Sequence, residues 1–387
     1  MNHYDYIIIG GGCAGLSLAY QLNQSRLRDK KILIIDKEQK NKNDRTWCFW
    51  TDEATPFDHI VFRQWKTIEF LSDDFILHAP LKNFTYKMIR GIDFYQECLE
   101  KIAENPNIAM INQAVVEVQE DSKKVIVQTS QQSYSADWVF DSRFDGRQFS
   151  ADMPKNHYLI QHFKGWLIET AQKSFDISKI RMFDFRTEQG KEVRFFYILP
   201  FSETEALVEY TLFSRNLLAP DEYDEKLKEY ISNLLHIKQY QIKEVEFGTI
   251  PMTDYKFQRK QGRRIMKIGV GGGMAKPSTG YAFLRIQQDT MQIINSLEQS
   301  GQPFYKKKNG KQFGIYDAMI LNIMHRKGES IKEIFTDLFK NNPIERVLAF
   351  LNEKTNFLTD LQIMASVPPM PFLKSIRNIF LSKKLTK

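Results

Sequence analysis

Two groups of residues in this sequence have the types and spacing to do chemistry: a run of glycines near the N-terminus and a lone acid in an apolar stretch. The glycines are Gly10-Gly11-Gly12-Cys13-Ala14-Gly15. They follow the apolar run Tyr4–Ile9 and open a helical pattern from Ala14 to about Asn23. A G-x-G-x-x-G turn from strand into helix binds a dinucleotide. Gly10 permits the tight turn, Gly12 admits the diphosphate to the backbone, and Gly15 lets helix pack on strand. The helix N-terminus at Ala14 adds N–H donors and a positive dipole end. Lys31–Asp36 is the next buried run, and Asp36 falls about 20 residues past Gly15, where an acid takes ribose hydroxyls. Asp36 and the adjoining Lys37 are therefore candidate cofactor contacts. The spacing does not separate FAD from NAD.

The acid is Glu209, in Leu207-Val208-Glu209-Tyr210-Thr211. In a strand, Leu207, Glu209, Thr211 and Phe213 share one face, and Val208, Tyr210 and Leu212 share the other. Both faces are largely apolar, so neither is an obvious solvated side. A buried carboxyl with few charge partners keeps its proton, and that is what a general acid requires. The same pattern also fits a Glu on an edge strand that faces water or pairs with Lys or Arg.

The elements that must position these residues fall into two kinds. The start of the chain is a β-α-β unit of about 33 residues. Thr46–Phe62 reads as loops, Ile68–Ala79 as a hairpin around Asp73-Asp74, and Tyr86–Asn105 as an amphipathic helix. Ile108–Ser130 gives two strands, and Trp138–Asp141 a short one. Strand patterns then dominate: Tyr158–Thr170, Ile180–Arg186, Val193–Phe201, Ala206–Ser214 and Val245–Ile250, interrupted by a helix over about Pro220–Leu235. Strands this closely spaced predict an antiparallel sheet. Arg264–Val270 reads as a buried strand, and the chain beyond Gly280 as mainly helical.

Composition narrows the class. The 387 residues are 42% hydrophobic and 26% charged, which describes a folded globular chain with two or three domains' worth of core. The 29 phenylalanines are enough to line a large apolar pocket. Cys13, Cys48 and Cys98 are far apart, and the seven histidines show no ligand spacing, so neither a disulfide framework nor a metal site is predicted. The net charge of +7 suits an anionic surface or cofactor. Nucleic acid is disfavoured, because no recognised module accompanies the charge. No signal peptide and no uncharged run of spanning length is visible.

Further blocks carry a family resemblance. Lys267–Gly280 (KIGVGGGMAKPSTG) is similar to a segment of hydroxylase-type flavin enzymes, with Gly269, Pro277 and Gly280 in register. Val270 stands where those enzymes have an Asp for the ribityl chain. Asp44-Arg45-Thr46-Trp47-Cys48-Phe49-Trp50, Gln161-His162-Phe163-x-Gly165-Trp166, Phe196-Tyr197-x-Leu199-Pro200-Phe201, Gly248-x-Ile250-Pro251-Met252 and Pro277-Ser278-Thr279-Gly280-Tyr281 resemble, in order, successive blocks of bacterial lycopene β-cyclases. The resemblance covers nearly the whole chain. The family's catalytic Phe-Leu-Glu-Glu-Thr block puts its first Glu on Glu209 and its second on Tyr210.

The resemblance implies an α/β fold: a Rossmann-like FAD-binding domain of the hydroxylase type, an antiparallel β-sheet substrate domain and C-terminal helices. Residues 1–52, 85–145 and 263–300 would form the interleaved FAD domain, 53–84 and 146–262 the substrate domain, and 301–387 a helical, membrane-contacting region. It implies FAD, active when reduced, with NADPH as electron donor, and lycopene or a related acyclic carotenoid as substrate. Gly10, Gly12, Ala14, Gly15, Asp36, Lys37, Arg45, Gly269 and Gly280 are the expected cofactor residues, and Glu209 the catalytic acid. The alternatives are an FAD-dependent monooxygenase or reductase on an isoprenoid, and a non-catalytic carotenoid-binding flavoprotein. The basic tail Lys374–Lys387, the run Lys256–Lys267, and the helices bearing Phe335, Leu338, Phe339, Phe350 and Leu351 are candidate contacts with a membrane surface. Peripheral attachment to the cytoplasmic face of the cell membrane is the expected location.

Overall fold

Tyr6–Ile9 and Ile32–Ile35 are apolar at every position, and such runs are stable only where both strand faces are covered. In the computed structural model, which describes residues 1–146, 149, 156–306 and 310–384, both runs lie at the centre of an eight-stranded sheet. Strand His3–Ile9 pairs in parallel with Ile32–Asp36 on one side and Ser133–Asp141 on the other. Ile108–Asn112 and Ile265–Lys267 extend the parallel set. Ile8, Ile32, Ile34 and Phe140 pack against helices Cys13–Asn23 and Phe283–Ser300, whereas Ile7, Ile9, Leu33 and Val139 pack beneath Val125 and Val127 of an antiparallel ribbon.

The second sheet has seven strands, in the order Gln241–Thr253, Tyr158–Glu169, Glu205–Ser214, Val193–Pro200, Ile180–Asp184, Thr67–Ser72 and Phe75–Pro80. It is antiparallel except where Ile180–Asp184 meets Thr67–Ser72. Its outer face buries Trp166, Phe196, Val208, Tyr210 and Leu212 under Tyr223, Leu227 and Tyr230 of helix Pro220–Asn233. That helix starts with Pro at its first turn and has Asp221 and Glu222 beside its positive end. On the inner face, Phe70 stacks on Phe339 with ring centroids 4.5 Å apart, and Phe183 meets Phe335 edge-on at 5.5 Å.

Several elements differ from the sequence reading. Thr46–Thr51 is a strand, not a loop, and the first part of Tyr86–Asn105 is the strand Thr85–Arg90 that pairs with it; Arg63–Trp65 completes a three-stranded sheet. The helix begins only at Gly91, where the backbone must turn against Arg45: the Gly91 N–H donates to the Arg45 carbonyl at 2.6 Å, and a Cβ there would sit 2.9 Å from that oxygen. Cross-strand packing of aromatics overrode the helical period. Ile108–Ser130 holds three strands, because Val115–Glu120 separates from Ile108–Asn112. The strand expected to reach Val270 stops at Lys267, and a short 3-10 turn, Gly269–Gly272, follows.

The expected membrane-facing groups also change. Phe335, Leu338 and Phe339 are buried in the core, with Phe350 and Leu351 packed against it. The basic run Lys256–Lys267 is partly neutralised: Arg259 pairs with Asp289 at 2.8 Å and Lys267 with Asp141 at 2.9 Å. Lys307, Lys308, Leu385 and Lys387 lie outside the described residues.

Candidate active site

The glycine turn has the geometry its spacing requires. Gly10 has φ +97°, and a Cβ on Gly15 would lie 1.9 Å from the Gly10 carbonyl oxygen, so no larger residue fits at Gly15. A Cβ on Gly12 would meet nothing within 4 Å. Ala14 is where the two glycine segments touch: Gly269, at φ +60°, would place a Cβ 2.7 Å from the Ala14 Cβ. One Asp36 oxygen accepts the Gly11 N–H at 2.5 Å and the other the Glu38 N–H at 2.8 Å, and Lys40 lies 3.4 Å away.

Gly10, Asp36 and Lys37 line a cavity of about 760 Å³, with Arg143 and Lys267 on its wall. Both cations bond Asp141 at 2.9 Å. Burial alone would raise that carboxyl, but Arg143 and then Lys267 hold it below the usual carboxylate range. Asp141 is thus a structural acid, as its place at a strand end suggests.

A second cavity, about 700 Å³, adjoins the first at Phe144 and runs from Gly12 and Cys13 to the inner face of the seven-stranded sheet. Arg45 and Gly280 line it, as does Val270. Gly280 has φ +74°, and a Cβ there would lie 2.0 Å from Gln161 Oε1. Gln161 Oε1 and Thr279 Oγ1 are buried without a hydrogen-bond partner among the described residues. Unpaired buried polar atoms are costly, so two of them at one glycine loop fit a polar ligand held there. With the glycine turn at the near end, these residues could hold a dinucleotide cofactor.

Glu209 stands on the sheet wall of this cavity. Leu207, Glu209, Thr211 and Phe213 face into it, among Phe163, Phe195, Tyr197, Trp47 and Tyr281. Glu209 is half-buried because its carboxyl opens onto the cavity. Thr211 Oγ1 donates to Oε1 at 2.6 Å, and among the described residues no Lys or Arg forms an ion pair with it. Burial, reinforced by the charge of Glu246, pushes its pKa up to about 8 against the pull of Thr211. Tyr210 points the other way, buried beneath helix Pro220–Asn233 and stacked on Phe196. A carboxylate at position 210 would therefore face away from the cavity.

The sequence reading missed several groups on this wall. Glu246 lines the cavity and accepts from Thr46 Oγ1 at 2.8 Å; burial raises its pKa too, against Thr46 and Arg45. Tyr86 hydrogen-bonds Tyr197 and, at 3.3 Å, Tyr281, and burial pushes the Cys48 thiol beside them up to about 12. Glu246 lies on the edge strand Gln241–Thr253, where an acid reads as solvated; its two-residue offset from Gly248 was the available signal. Three further polar residues of the seven-stranded sheet are structural. His162 bonds Ser214 and Tyr223 on the outer face, Asp184 is paired with Arg186 at 2.7 Å, and Glu169 reaches Lys243 at the surface.

The fold, a Rossmann-like sheet with a second sheet, is shared with solved structures. A geranylgeranyl bacteriochlorophyll reductase-like protein from Thermoplasma acidophilum matches at TM-score 0.61 and 14% identity, over 98% of this chain and all of that one. Halogenase PltM, in complex with phloroglucinol and FAD, matches at 0.58 and 14%, over 99% and 93%. The family model for lycopene cyclase protein matches residues 5–377, and the chain belongs to that family. The lycopene β-cyclase of Pseudescherichia vulneris is 22% identical over 389 residues, 95% of each chain. The chloroplastic lycopene β-cyclase of Solanum lycopersicum is 27% identical over 316 residues, 76% of this chain but only 60% of the tomato protein.

Proposed function

We propose that this protein is a lycopene β-cyclase, converting the acyclic end groups of lycopene or a related carotenoid to β-rings with no net redox change. The observation that carries the reading is Glu209: a carboxyl with no cationic partner among the described residues, on the wall of an aromatic cavity, with a pKa raised to about 8. Near neutral pH such a group is mostly protonated and able to donate. Its proton goes to the terminal double bond. The neighbouring alkene closes onto the resulting tertiary cation, and loss of a ring proton leaves the β-ring. Trp47, Phe163, Phe195 and Tyr281 exclude water and offer π faces to the cation.

The Gly10–Gly15 turn, Asp36, Arg45 and the Gly269–Gly280 segment would hold FAD, with Gln161 Oε1 and Thr279 Oγ1 as its unclaimed polar contacts. When bound and reduced, FAD would supply negative potential for the cation, and NADPH is the proposed electron donor. The eight-stranded sheet is assigned to the cofactor and the seven-stranded sheet to the carotenoid.

The reading also places the protein peripherally on the cytoplasmic face of the cell membrane, where its substrate dissolves. Support comes from the exposed Phe357, Leu358, Leu361, Met370 and Leu373 on helices Phe357–Ala365 and Pro369–Lys384, beside the cations Lys374 and Arg377. Among the described residues no helix is long and apolar enough to cross a membrane.

The test is anaerobic incubation of the protein with FAD, NADPH and lycopene in liposomes, read by chromatography with mass detection. A product of unchanged mass and shorter-wavelength absorption is expected. An oxygenated product that forms only in air would move the protein to the monooxygenases.

A further inference from the structure

We infer that Glu246 is the base that takes the proton from the cyclised cation, acting opposite Glu209 across the bare backbone of Gly165. This inference rests on the cyclase reading and names the second half of its acid–base chemistry. Three adjacent strands bring the residues into line. Gly165 of strand Tyr158–Glu169 is the register partner of Glu209 on one side and of Glu246 on the other. Partners in register point to the same face, so both glutamates leave the sheet toward the cavity, and both line it. Their backbones are roughly 10 Å apart, two strand spacings.

Glycine at the midpoint keeps the space between them open. A Cβ on Gly165 would lie 3.0 Å from Leu207 Cδ1 and 3.6 Å from Glu209 Cγ. A methyl there would stand between the carboxyls, where a closing ring has to touch both.

The environments of the two acids set their roles. Each is oriented by a threonine hydroxyl from a different element, Thr211 for Glu209 and Thr46 for Glu246. Glu246 also receives the Thr46 backbone N–H and the attraction of Arg45, neither of which reaches Glu209. A proton shared by the pair therefore rests on Glu209 and leaves Glu246 the anion. Tyr197, Tyr281 and Cys48 beside Glu209 are poor bases, since all three are held neutral by burial. Tyr210 faces away.

The protons balance. The Glu209 O–H bond breaks as a C–H bond forms at the less substituted carbon of the terminal alkene, leaving a tertiary cation, and Glu209 becomes the carboxylate. The neighbouring alkene spends its π bond on the ring-closing C–C bond, and the charge passes to that alkene's other carbon. A ring C–H bond then breaks, its electrons form the ring double bond, and the proton passes to the Glu246 carboxylate. Glu246 releases it to water, and water reprotonates Glu209, so the cycle consumes nothing.

The experiment compares wild type and E246Q as FAD-loaded enzymes on lycopene in liposomes, with rate, KM and product masses recorded. The expected result is a fall in kcat of about 100-fold or more, with KM and FAD content unchanged. Trapped side products, an alkene isomer or a hydrated end group heavier by one water, should appear. E246D, which keeps the carboxylate, should recover part of the rate. Product and rate within twofold of wild type in E246Q would overturn the inference, as would a raised KM at unchanged kcat. If E246Q does not fold, G165A serves instead: a lowered kcat is expected and an unchanged one overturns the claim. A wild-type enzyme that forms no cyclic product fails the cyclase reading itself, an outcome distinct from these.

Discussion

Tyr197 is the register partner of Glu209 on strand Val193–Pro200, yet its hydroxyl bonds Tyr86 and not the carboxyl. Among the described residues Glu209 is thereby left with Thr211 as its one side-chain donor. A tyrosine donating to Glu209 would stabilise the carboxylate and lower its pKa. Because Tyr86 engages the tyrosine instead, the acid stays protonated.

Y197F should therefore leave the pH dependence of the reaction in place. It removes the buried hydrogen bond to Tyr86 and the contact with the Cys48 thiol, and Tyr86 keeps its contact with Tyr281. A loss of about 1 kcal/mol in denaturant unfolding is expected. A shift of the activity profile by a full pH unit would show that Tyr197 acts on Glu209 directly.

The raised pKa of Glu209 makes two statements about pH. Activity needs the protonated form, so turnover should fall as pH rises through about 8. Stability follows the same direction. Between the ordinary value of 4.5 and about 8, the native state holds a proton that the unfolded chain has released. The contribution is fully present below 4.5 and is lost as pH rises through about 8. Denaturant unfolding of wild type and E209Q from pH 5 to 9 measures the difference, and the variant should show the shallower decline.

Gly280 carries a separate prediction. At φ +74° a side chain costs about 1–2 kcal/mol in the left-handed region, and its Cβ would press on Gln161. G280A should melt earlier and retain less FAD after gel filtration. Full FAD retention would remove this loop from the cofactor site.

Leu358 and Leu373 are 71% and 57% exposed, so neither supports the core. L358D/L373D should leave the melting temperature within a degree or two. Partition onto anionic liposomes should fall about tenfold or more, from lost apolar contact and added repulsion. Unchanged sedimentation with liposomes would take these helices out of the membrane argument.

The β-α-β start was legible because fully buried parallel strands are continuous apolar runs and the glycine spacing is set by backbone contact. Thr46–Thr51 and Thr85–Arg90 were not, since their aromatics are covered on both sides and show no alternation; only their pairing makes them strands. Glu209 stood out because its neighbours are apolar on both faces. Glu246 did not: its strand is exposed over much of its length, and what removes the carboxyl from water is the packing of Thr46 from a strand 200 residues away. The helix bearing Phe335 and Phe339 has the amphipathic pattern of a membrane surface, but the apolar sheet face opposite claims it.

The central claim is that a solvent-exchangeable proton on Glu209 starts the cyclisation. The most direct measurement is the reaction of wild type and E209Q with lycopene, reduced FAD and D₂O, read by product mass. The account expects one deuterium per ring in the wild-type product, and FAD-loaded E209Q that forms no rings. Rings formed by E209Q at the wild-type rate, or wild-type rings without deuterium, would contradict it.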